Sequence, residues 1–126
     1  MLKPIPSVML KDTAVFHMPV SVDEYQKPVY EDFEVRNVHI QNSNAVVAST
    51  TNEEVKLRAT LFIDSRRSTP QYDYMALMAQ AEAIGVQITV TVTEASGNSA
   101  EYTVEVVDAV PDVPATRTHH TEIGLV

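Results

Sequence analysis

Four histidines are the first residues of this sequence that could do chemistry. His119 and His120 are adjacent, and imidazole nitrogens are common metal ligands. Successive residues of a strand point to opposite faces, so these two rings could share one ion only at a β-bulge. His17 and His39 lie far from them in the sequence. We therefore predict neither a metal site nor a bound cofactor.

Carboxylate and hydroxyl side chains give no catalytic pattern either. The acidic pairs fall in segments that read as loops or strand ends, and no spacing between them supports a glycosidase-type pair. Three hydroxyl residues follow one another closely, but without a nucleophile motif they suit a turn and a helix cap better. A glycine-rich phosphate loop is also missing. We predict that the chain has no catalytic residues and is not an enzyme; the groups considered are Asp23-Glu24, Glu31-Asp32, Glu53-Glu54, Ser65, Ser68 and Thr69.

Composition indicates one domain spanning residues 1–126. Hydrophobic residues make up 44% and charged residues 21% of the chain, which is typical of a globular protein. The absence of cysteine excludes disulfides and thiolate metal sites. A net charge of −8 disfavours a protein that grips nucleic acid phosphates. No apolar run is long enough for a membrane span, so we expect no membrane association.

Alternation of apolar and polar residues predicts the strands. It is cleanest from Glu53 to Ile63, where every second residue is apolar. In Phe33 to Gln41 the apolar spacing changes from two to three residues, which predicts a β-bulge. Val86 to Glu94 and Glu101 to Val110 flank a turn and predict an antiparallel hairpin with Tyr102, Val104 and Val106 inward. Two further strands are expected at Thr13 to Val20 and Arg117 to Val126.

One helix is predicted, over about residues 70–84. Thr69 would be its N-cap, Pro70 its first residue and Gly85 the residue just past its end. The polar stretch Ser21 to Asp32 reads as a long projecting loop, and residues 1–12 read as an N-terminal arm. Together these elements predict a mainly β fold, a small antiparallel β-barrel or sandwich of about six to seven strands with one α-helix.

Three phrases of the sequence, in this order, resemble one known family. They are KPIPSVMLKDTAVFH, EVKLRATLFIDSRRSTP and EYTVEVVDAVPDVPATRTHHTEIGLV. The resemblance is to the minor capsid or head-tail connector proteins of tailed bacteriophages. Between the second and third phrases the family usually has a tight hairpin pattern, where this chain has an alanine-rich helix. The matched positions are Leu61, Phe62, Asp64, Ser65, Ser68, Pro70, His119, His120, Glu122, Gly124 and Leu125.

The resemblance implies a β-barrel that assembles as a ring between the portal and the tail. Such head-completion or head-closure proteins extend the DNA channel, retain packaged DNA and offer a docking face for the tail. The implied partners are other copies of the chain, the portal or an adaptor, and tail proteins. DNA would pass through the channel without sequence-specific binding, and acidic side chains would let it slide. The implied location is the virion neck, with the host cytoplasm during assembly.

Ring contacts under this hypothesis would come from the projecting loop and the arm. The interface candidates are Tyr25, Tyr30 and Phe33, since aromatic residues dominate interface energetics. Arg66 and Arg67 would pair with acidic loops of a neighbouring copy, or else be simply solvated. Alternatives remain: a tail-terminator or tail-completion ring protein, a free-standing β-barrel module that binds a ligand or peptide, and a hydrolase that uses carboxylates or histidines.

Overall fold

Six antiparallel strands form one sheet that closes on itself in a barrel-like ring. The computed structural model describes residues 7–43, 46–48, 54–111 and 118–126. The ring closes because β1 pairs with both β2 and β6, in the order β1-β2-β5-β8-β7-β6, while β3 and β4 form a separate two-stranded sheet. The strands are β1 (Asp12–Val22), β2 (Pro28–Asn42), β3 (Val46–Ala48), β4 (Glu54–Lys56), β5 (Ala59–Asp64), β6 (Thr89–Thr93), β7 (Ser99–Pro111) and β8 (Thr118–Leu125). The predicted fold class is confirmed.

The inside of the ring is filled by apolar side chains from every one of its strands. Alternate residues of each strand point inward, and the sequence supplies β-branched and aliphatic residues at those positions. The aromatic ring of Phe16 lies at the centre, only 2% exposed, and stacks on Phe33 with 5.2 Å between ring centroids. Burying one such side chain contributes about 2 kcal/mol. The ring therefore holds a packed core; other fully buried members are Val35, Val38, Leu61, Val90 and Leu125.

The bulge predicted in β2 is confirmed. Asp12 pairs with Val38 and Thr13 with Arg36, so Asn37 is the extra residue, with a φ of 59°. The insertion keeps both Val35 and Val38 fully buried although three positions separate them. Asparagine tolerates this left-handed backbone conformation better than most residues.

The long strand predicted from Glu53 to Ile63 is wrong in its continuity. The chain leaves the strand conformation at Leu57 and Arg58, which separates β4 from β5. There the amide of Arg58 donates to Leu125 O, and its carbonyl accepts from Ser43 N. The predicted inward residues Ala59, Leu61 and Ile63 of β5 are buried as expected. The alternation of apolar and polar residues thus predicted correctly which of these side chains are buried, but it did not predict the bend at Arg58.

The helix α1 (Tyr74–Ile84) is shorter than predicted at its start. Its N-cap is Asp73, whose carboxylate accepts a hydrogen bond from Ala76 N, and not Thr69. Thr69 instead forms a bridge with Arg36 of β2, so Pro70 lies in the connection. Gly85 ends the helix with a φ of 82°, as predicted. The helix packs on β1 and β7 through Tyr74 and Ala81, with Leu77 and Met78 at the margin.

Tyr74 carries a buried hydroxyl that has no hydrogen-bond partner among the described residues. Burial raises the pKa of this phenol. We expect Tyr74→Phe to raise the free energy of unfolding by about 1 kcal/mol, because an unsatisfied buried polar group is removed. The unfolded phenol ionises more readily than the folded one, so wild-type stability should fall above about pH 10 and the variant should lose less. Urea unfolding at neutral and alkaline pH would check both; equal stability at both pH values would contradict the expectation.

The predicted loop from Ser21 to Asp32 is also wrong, because most of it is strand. β1 continues to Val22 and β2 begins at Pro28, so only residues 23–27 form the turn. β6 pairs with β1 only as far as His17, and β5 pairs with β2 only from Val38 onward. The outer part of the β1–β2 hairpin is therefore two-stranded and projects from the ring.

The hairpin of β6 and β7 and the terminal strand β8 are confirmed, but β6 begins at Thr89 and not at the predicted Val86. Arg117, the predicted start of the last strand, lies outside the described residues. Thr93 pairs with Ser99 across the predicted turn, and β8 lies between β5 and β7. One predicted inward residue is wrong: Val106 is half-buried, because an irregularity between Val104 and Val106 turns Val107 toward the core instead. The twisting of barrel strands favours such irregularities.

Part of the predicted N-terminal arm is described. Residues Ser7–Met9 form a single 3₁₀ turn, and Leu10 is buried. Asp12 then fixes the start of β1: its carboxylate accepts from Ile40 N at 2.9 Å and from Ala95 N at 3.1 Å. Residues 1–6 of the predicted arm lie outside the described residues.

Candidate functional site

The turn of the β1–β2 hairpin is built by Asp23. Its Oδ1 accepts hydrogen bonds from Tyr25 N and Lys27 N, both at 2.9 Å. Its backbone N–H donates to Lys27 O, which closes the turn, and Gln26 takes a φ of 63°. An aspartate that accepts from the backbone two residues ahead is a common way to fix a turn. The tip is thus a defined structure that can present side chains.

Two of the predicted interface residues are displayed on this hairpin, and a third is not. Tyr25 is 75% exposed at the tip, and Tyr30 is 44% exposed on β2. Phe33 is half-buried between Phe16 and Tyr72, with 4.3 Å between the Phe33 and Tyr72 ring centroids. Phe33 therefore supports the base of the hairpin from inside. The assignment of Tyr25 and Tyr30 as contact residues stays a prediction.

Exposed apolar residues gather at the hairpin end of the ring. Tyr25, Tyr30 and four others lie on the hairpin or at the adjoining start of α1; the four are Val22, Val29, Tyr72 and Met75. The same hairpin is acidic, with five carboxylates and two basic side chains between residues 22 and 36. Apolar residues surrounded by charged ones are typical of a protein-protein contact surface.

A buried aspartate organises the loop that carries the two predicted arginines. Asp64 is fully buried, and its Oδ1 accepts from Arg66 N at 2.8 Å and from Arg67 N at 2.9 Å. Ser68 is also fully buried; its Oγ donates to Asn37 O at 2.6 Å and accepts from Asp64 N at 2.9 Å. These bonds hold the loop against the bulge of β2 and fix the backbone of both arginines.

Arg66 and Arg67 have exposed side chains on this fixed loop. Asn37 Nδ2 donates to Arg67 O at 3.2 Å, which ties the arginine pair to the bulge of β2. β1 and β5 are both antiparallel to β2, so they run in the same direction along the axis of the ring. The loop after β5, with its two arginines, therefore lies at the same end of the ring as the hairpin that follows β1. Their pairing with a neighbouring copy stays a prediction.

The two adjacent histidines lie together, against the sequence-based expectation that they point apart. Val110 pairs with His120 and Pro111 with Thr118, so His119 is an extra residue in β8. This irregularity brings the Nδ1 atoms of the two rings to 2.8 Å from each other. His120 Nε2 also lies 3.7 Å from Glu122 Oε1. The β-bulge that these two rings need in order to meet is therefore present in β8, although the sequence gave no sign of it.

In residues 7–43, 46–48, 54–111 and 118–126, no group of three or more His, Cys, Asp or Glu could hold a metal. A hydrogen bond between the two rings accounts for the close contact, with one Nδ1 donating and the other accepting. The rings then pack outward, His120 on Phe62 and Phe62 on His39.

The second and third phrases of the resemblance are neighbouring strands. β5 and β8 pair from Ala59–Leu125 to Asp64–His120, and beyond the pairing Ser65 Oγ donates to His119 O at 2.8 Å. Gly124 lies in this contact where space is tight: a Cβ there would be 2.6 Å from Val106 Cγ1 and 2.9 Å from Leu57 Cδ1. The phrases therefore specify one structural unit.

Comparison of the chain with protein-family models, with curated proteins and with solved structures found no match in any of the three. In the described part of the chain, no helix has the length and apolar character to cross a membrane.

Proposed function

We propose that this protein is a head-tail connector or head-closure component of a tailed bacteriophage. Copies of the chain would form a ring between portal and tail, continue the DNA channel and retain packaged DNA. The observation that carries the proposal is the order of the three sequence phrases. Two of them meet as the paired strands β5 and β8, which supports reading them as one unit and not as separate coincidences.

The first phrase is tied into the same framework. Its Asp12 bonds to β2 and to the turn between β6 and β7, and its Leu10 is buried. Residues of all three phrases therefore pack or form hydrogen bonds within one strand framework.

The acidic hairpin supports a role next to DNA that must move. A net charge of −8 over the chain, and an excess of carboxylates on the hairpin, would repel phosphates in a channel. The hairpin and the Asp64 loop lie at one end of the ring, so that end supplies both acidic and basic contact groups. Opposite charges on one protomer allow neighbours to pair around a ring.

The test is assembly. DNA flanking the gene should encode portal and major capsid proteins upstream and tail proteins downstream, and the chain should be found at the neck of purified virions. A metabolic gene neighbourhood would contradict the connector role and favour a free-standing binding module. For that alternative the specific observation is an open groove of about 380 Å³ on the outer face, lined by Leu57, Phe62, Val106 and Gly124 among others.

We expect Arg66→Glu combined with Arg67→Glu to reduce ring assembly at least about tenfold, because two cation contacts become repulsive. The backbone N–H groups that bind Asp64 remain, so the monomer should stay folded. Native mass spectrometry on heads carrying the portal would measure assembly, and circular dichroism would check folding. Lys56→Glu with Arg58→Glu is the control with the same charge change, since both residues are exposed near the opposite end of the ring from the hairpin. Unchanged assembly of the arginine variant would refute the contact.

A further inference from the structure

The projecting hairpin has two edges, and they differ in their ability to accept another strand. On β1 the edge facing away from β2 contains Pro19, which has no N–H to donate, and α1 packs on this strand. On β2 the opposite edge has no proline between Val29 and Asn42. The β1 edge contains a proline and its strand is packed by α1, whereas the β2 edge is open. An added strand would therefore pair with β2 and not with β1.

A backbone contact of Arg36 shows which way the N–H and C=O groups of β2 point. Arg36 N donates to Thr69 O at 2.7 Å and Arg36 O accepts from Thr69 N at 3.1 Å, so both groups of Arg36 point away from β1. The pairing of β2 with β1 is regular from Arg36 to Tyr30. In an antiparallel strand every second residue shares this direction. The N–H and C=O groups of Glu34, Asp32 and Tyr30 therefore also point outward.

Opposite Tyr30 stands Pro19, which agrees with this assignment. If Tyr30 directs its backbone groups outward, the N of Pro19 faces the other edge, where a missing donor costs the hairpin no hydrogen bond. Among the described residues, no strand pairs with β2 on the outward side beyond the Arg36–Thr69 bridge. Six backbone groups in a row thus form a template for one added strand.

The charges along this edge select the occupant. Glu31, Asp32 and Glu34 are exposed, and Arg36 is the basic residue on the same stretch. Asp32 Oδ1 lies 2.7 Å from His17 Nδ1 and Glu34 Oε1 lies 2.6 Å from Arg36 Nε, while Glu31 forms no such pair in the described structure. Like charges directly across a sheet destabilise it, so an acidic strand is disfavoured and a basic one is favoured.

Among the eight described strands, a second copy of this chain does not offer such a strand. None of these strands carries more lysine and arginine than aspartate and glutamate; β2, β7 and β8 are acidic, and β4 is balanced. We propose that the Tyr30–Glu34 edge of β2 binds an extended segment of a different protein that carries lysine or arginine at alternate positions. The contact would be strand addition to the hairpin. It does not depend on the connector role, because a free-standing binding module with this edge would bind the same kind of segment.

The experiment uses the full chain and two short synthetic peptides, one alternating lysine with valine and a matched one with glutamate in place of lysine. Amide hydrogen exchange and NMR shifts report the site. We expect the lysine peptide to slow exchange at the amides of Tyr30, Asp32 and Glu34 at least about tenfold at saturation, as a new ladder forms. Binding should weaken as salt rises, because the charges are exposed.

Two variants and one control separate the contribution of the backbone hydrogen bonds from that of the side-chain charges. Glu34→Pro removes one outward N–H, and Glu31→Gln with Glu34→Gln removes charge; each should weaken binding roughly fivefold or more. Glu94→Gln with Glu101→Gln makes the same charge change near the opposite end of the ring and should leave affinity unchanged. The double glutamine variant keeps the test valid if the proline variant unfolds.

Several outcomes would overturn the proposal. These are no binding of the lysine peptide, equal binding of the glutamate peptide, protection of amides elsewhere, or equal loss in the Glu94 and Glu101 control. Protection of the same amides that rises with protein concentration and needs no peptide would show that a second copy occupies the edge. That result would refute assignment to a different protein and identify the acidic side chains as tolerated in self-pairing.

Discussion

Asp64→Ala should lower the free energy of unfolding by about 2–3 kcal/mol. The carboxylate is fully buried and accepts from the backbone N–H groups of Arg66 and Arg67, so its removal leaves both donors without their acceptor. It also empties space beside Ser68, whose hydroxyl bridges Asp64 N and Asn37 O. A loss of this size corresponds to a fall in Tm of about 10 °C. Chemical unfolding with a fluorescence or circular dichroism readout would measure it.

Asp64→Asn is the matched variant for this prediction. The amide keeps an oxygen that can accept from the two N–H groups, so we expect it to lose less than about half of what alanine loses. Asp108→Ala, an exposed carboxylate on β7, should stay within about 0.5 kcal/mol of wild type. An alanine variant as stable as Asp108→Ala would show that the loop does not depend on the buried carboxylate.

The sequence predicted the ring of strands well because its inward positions are uniformly apolar. It missed the projecting hairpin for a physical reason. Both faces of residues 22–32 meet solvent, so selection for burial leaves no alternation there. Asp23 was the available signal: an aspartate two and four residues before the amides it accepts from is typical of a tight turn. These residues are polar because they are exposed, and an exposed segment can still be a strand.

Alternation also failed in the opposite way between Glu53 and Ile63. Leu57 is buried, and so are Ala59 and Leu61, so the period of two continues across the bend at Arg58. Leu57, however, lies over Gly124, whose neighbour across the sheet is Thr60, while Leu61 points into the core. Two different surfaces bury these leucines. A pattern of burial alone cannot distinguish one straight strand from a strand that leaves the barrel.

Within the candidate site, the sequence located the arginine loop and the tyrosines but not their supports. Asp64 and Ser68 were recognised as parts of a phrase, and only the structure shows them as the buried groups that hold Arg66 and Arg67 in place. The convergence of His119 and His120 was missed because it depends on the register in which β8 pairs with β7, and two adjacent histidines carry no sign of that register.

These placements separate two kinds of variant. Residues of the three phrases, such as Asp64, Ser68 and Gly124, are buried in the strand framework, so their loss should act through stability. The side chains of Tyr25 and of Glu31, Asp32 and Glu34 on the β2 edge are exposed, so their loss should act through binding. Measuring the stability and the assembly of each variant would therefore distinguish residues that stabilise the fold from residues that bind a partner.

Gly124→Ala tests this distinction at the tightest point of the framework. The added Cβ would lie 2.6 Å from Val106 Cγ1 and 2.9 Å from Leu57 Cδ1, both closer than contact distance. β8 is paired on both sides at this position, with Thr60 and with Val106, so the strand has little freedom to move away. We expect the variant to lose about 1–3 kcal/mol of unfolding free energy, the usual cost of overpacking.

A double variant decides whether crowding is the cause. Val106→Ala removes the closer of the two contacts, and alone it should cost about 1 kcal/mol because Val106 is half-buried. Combined with Gly124→Ala, it should restore at least half of the lost stability, since the new methyl group fills the space that valine leaves. Simple addition of the two losses in urea unfolding would contradict crowding against Val106. In that case the loss would come from the contact with Leu57, whose Cδ1 lies 2.9 Å from the added Cβ.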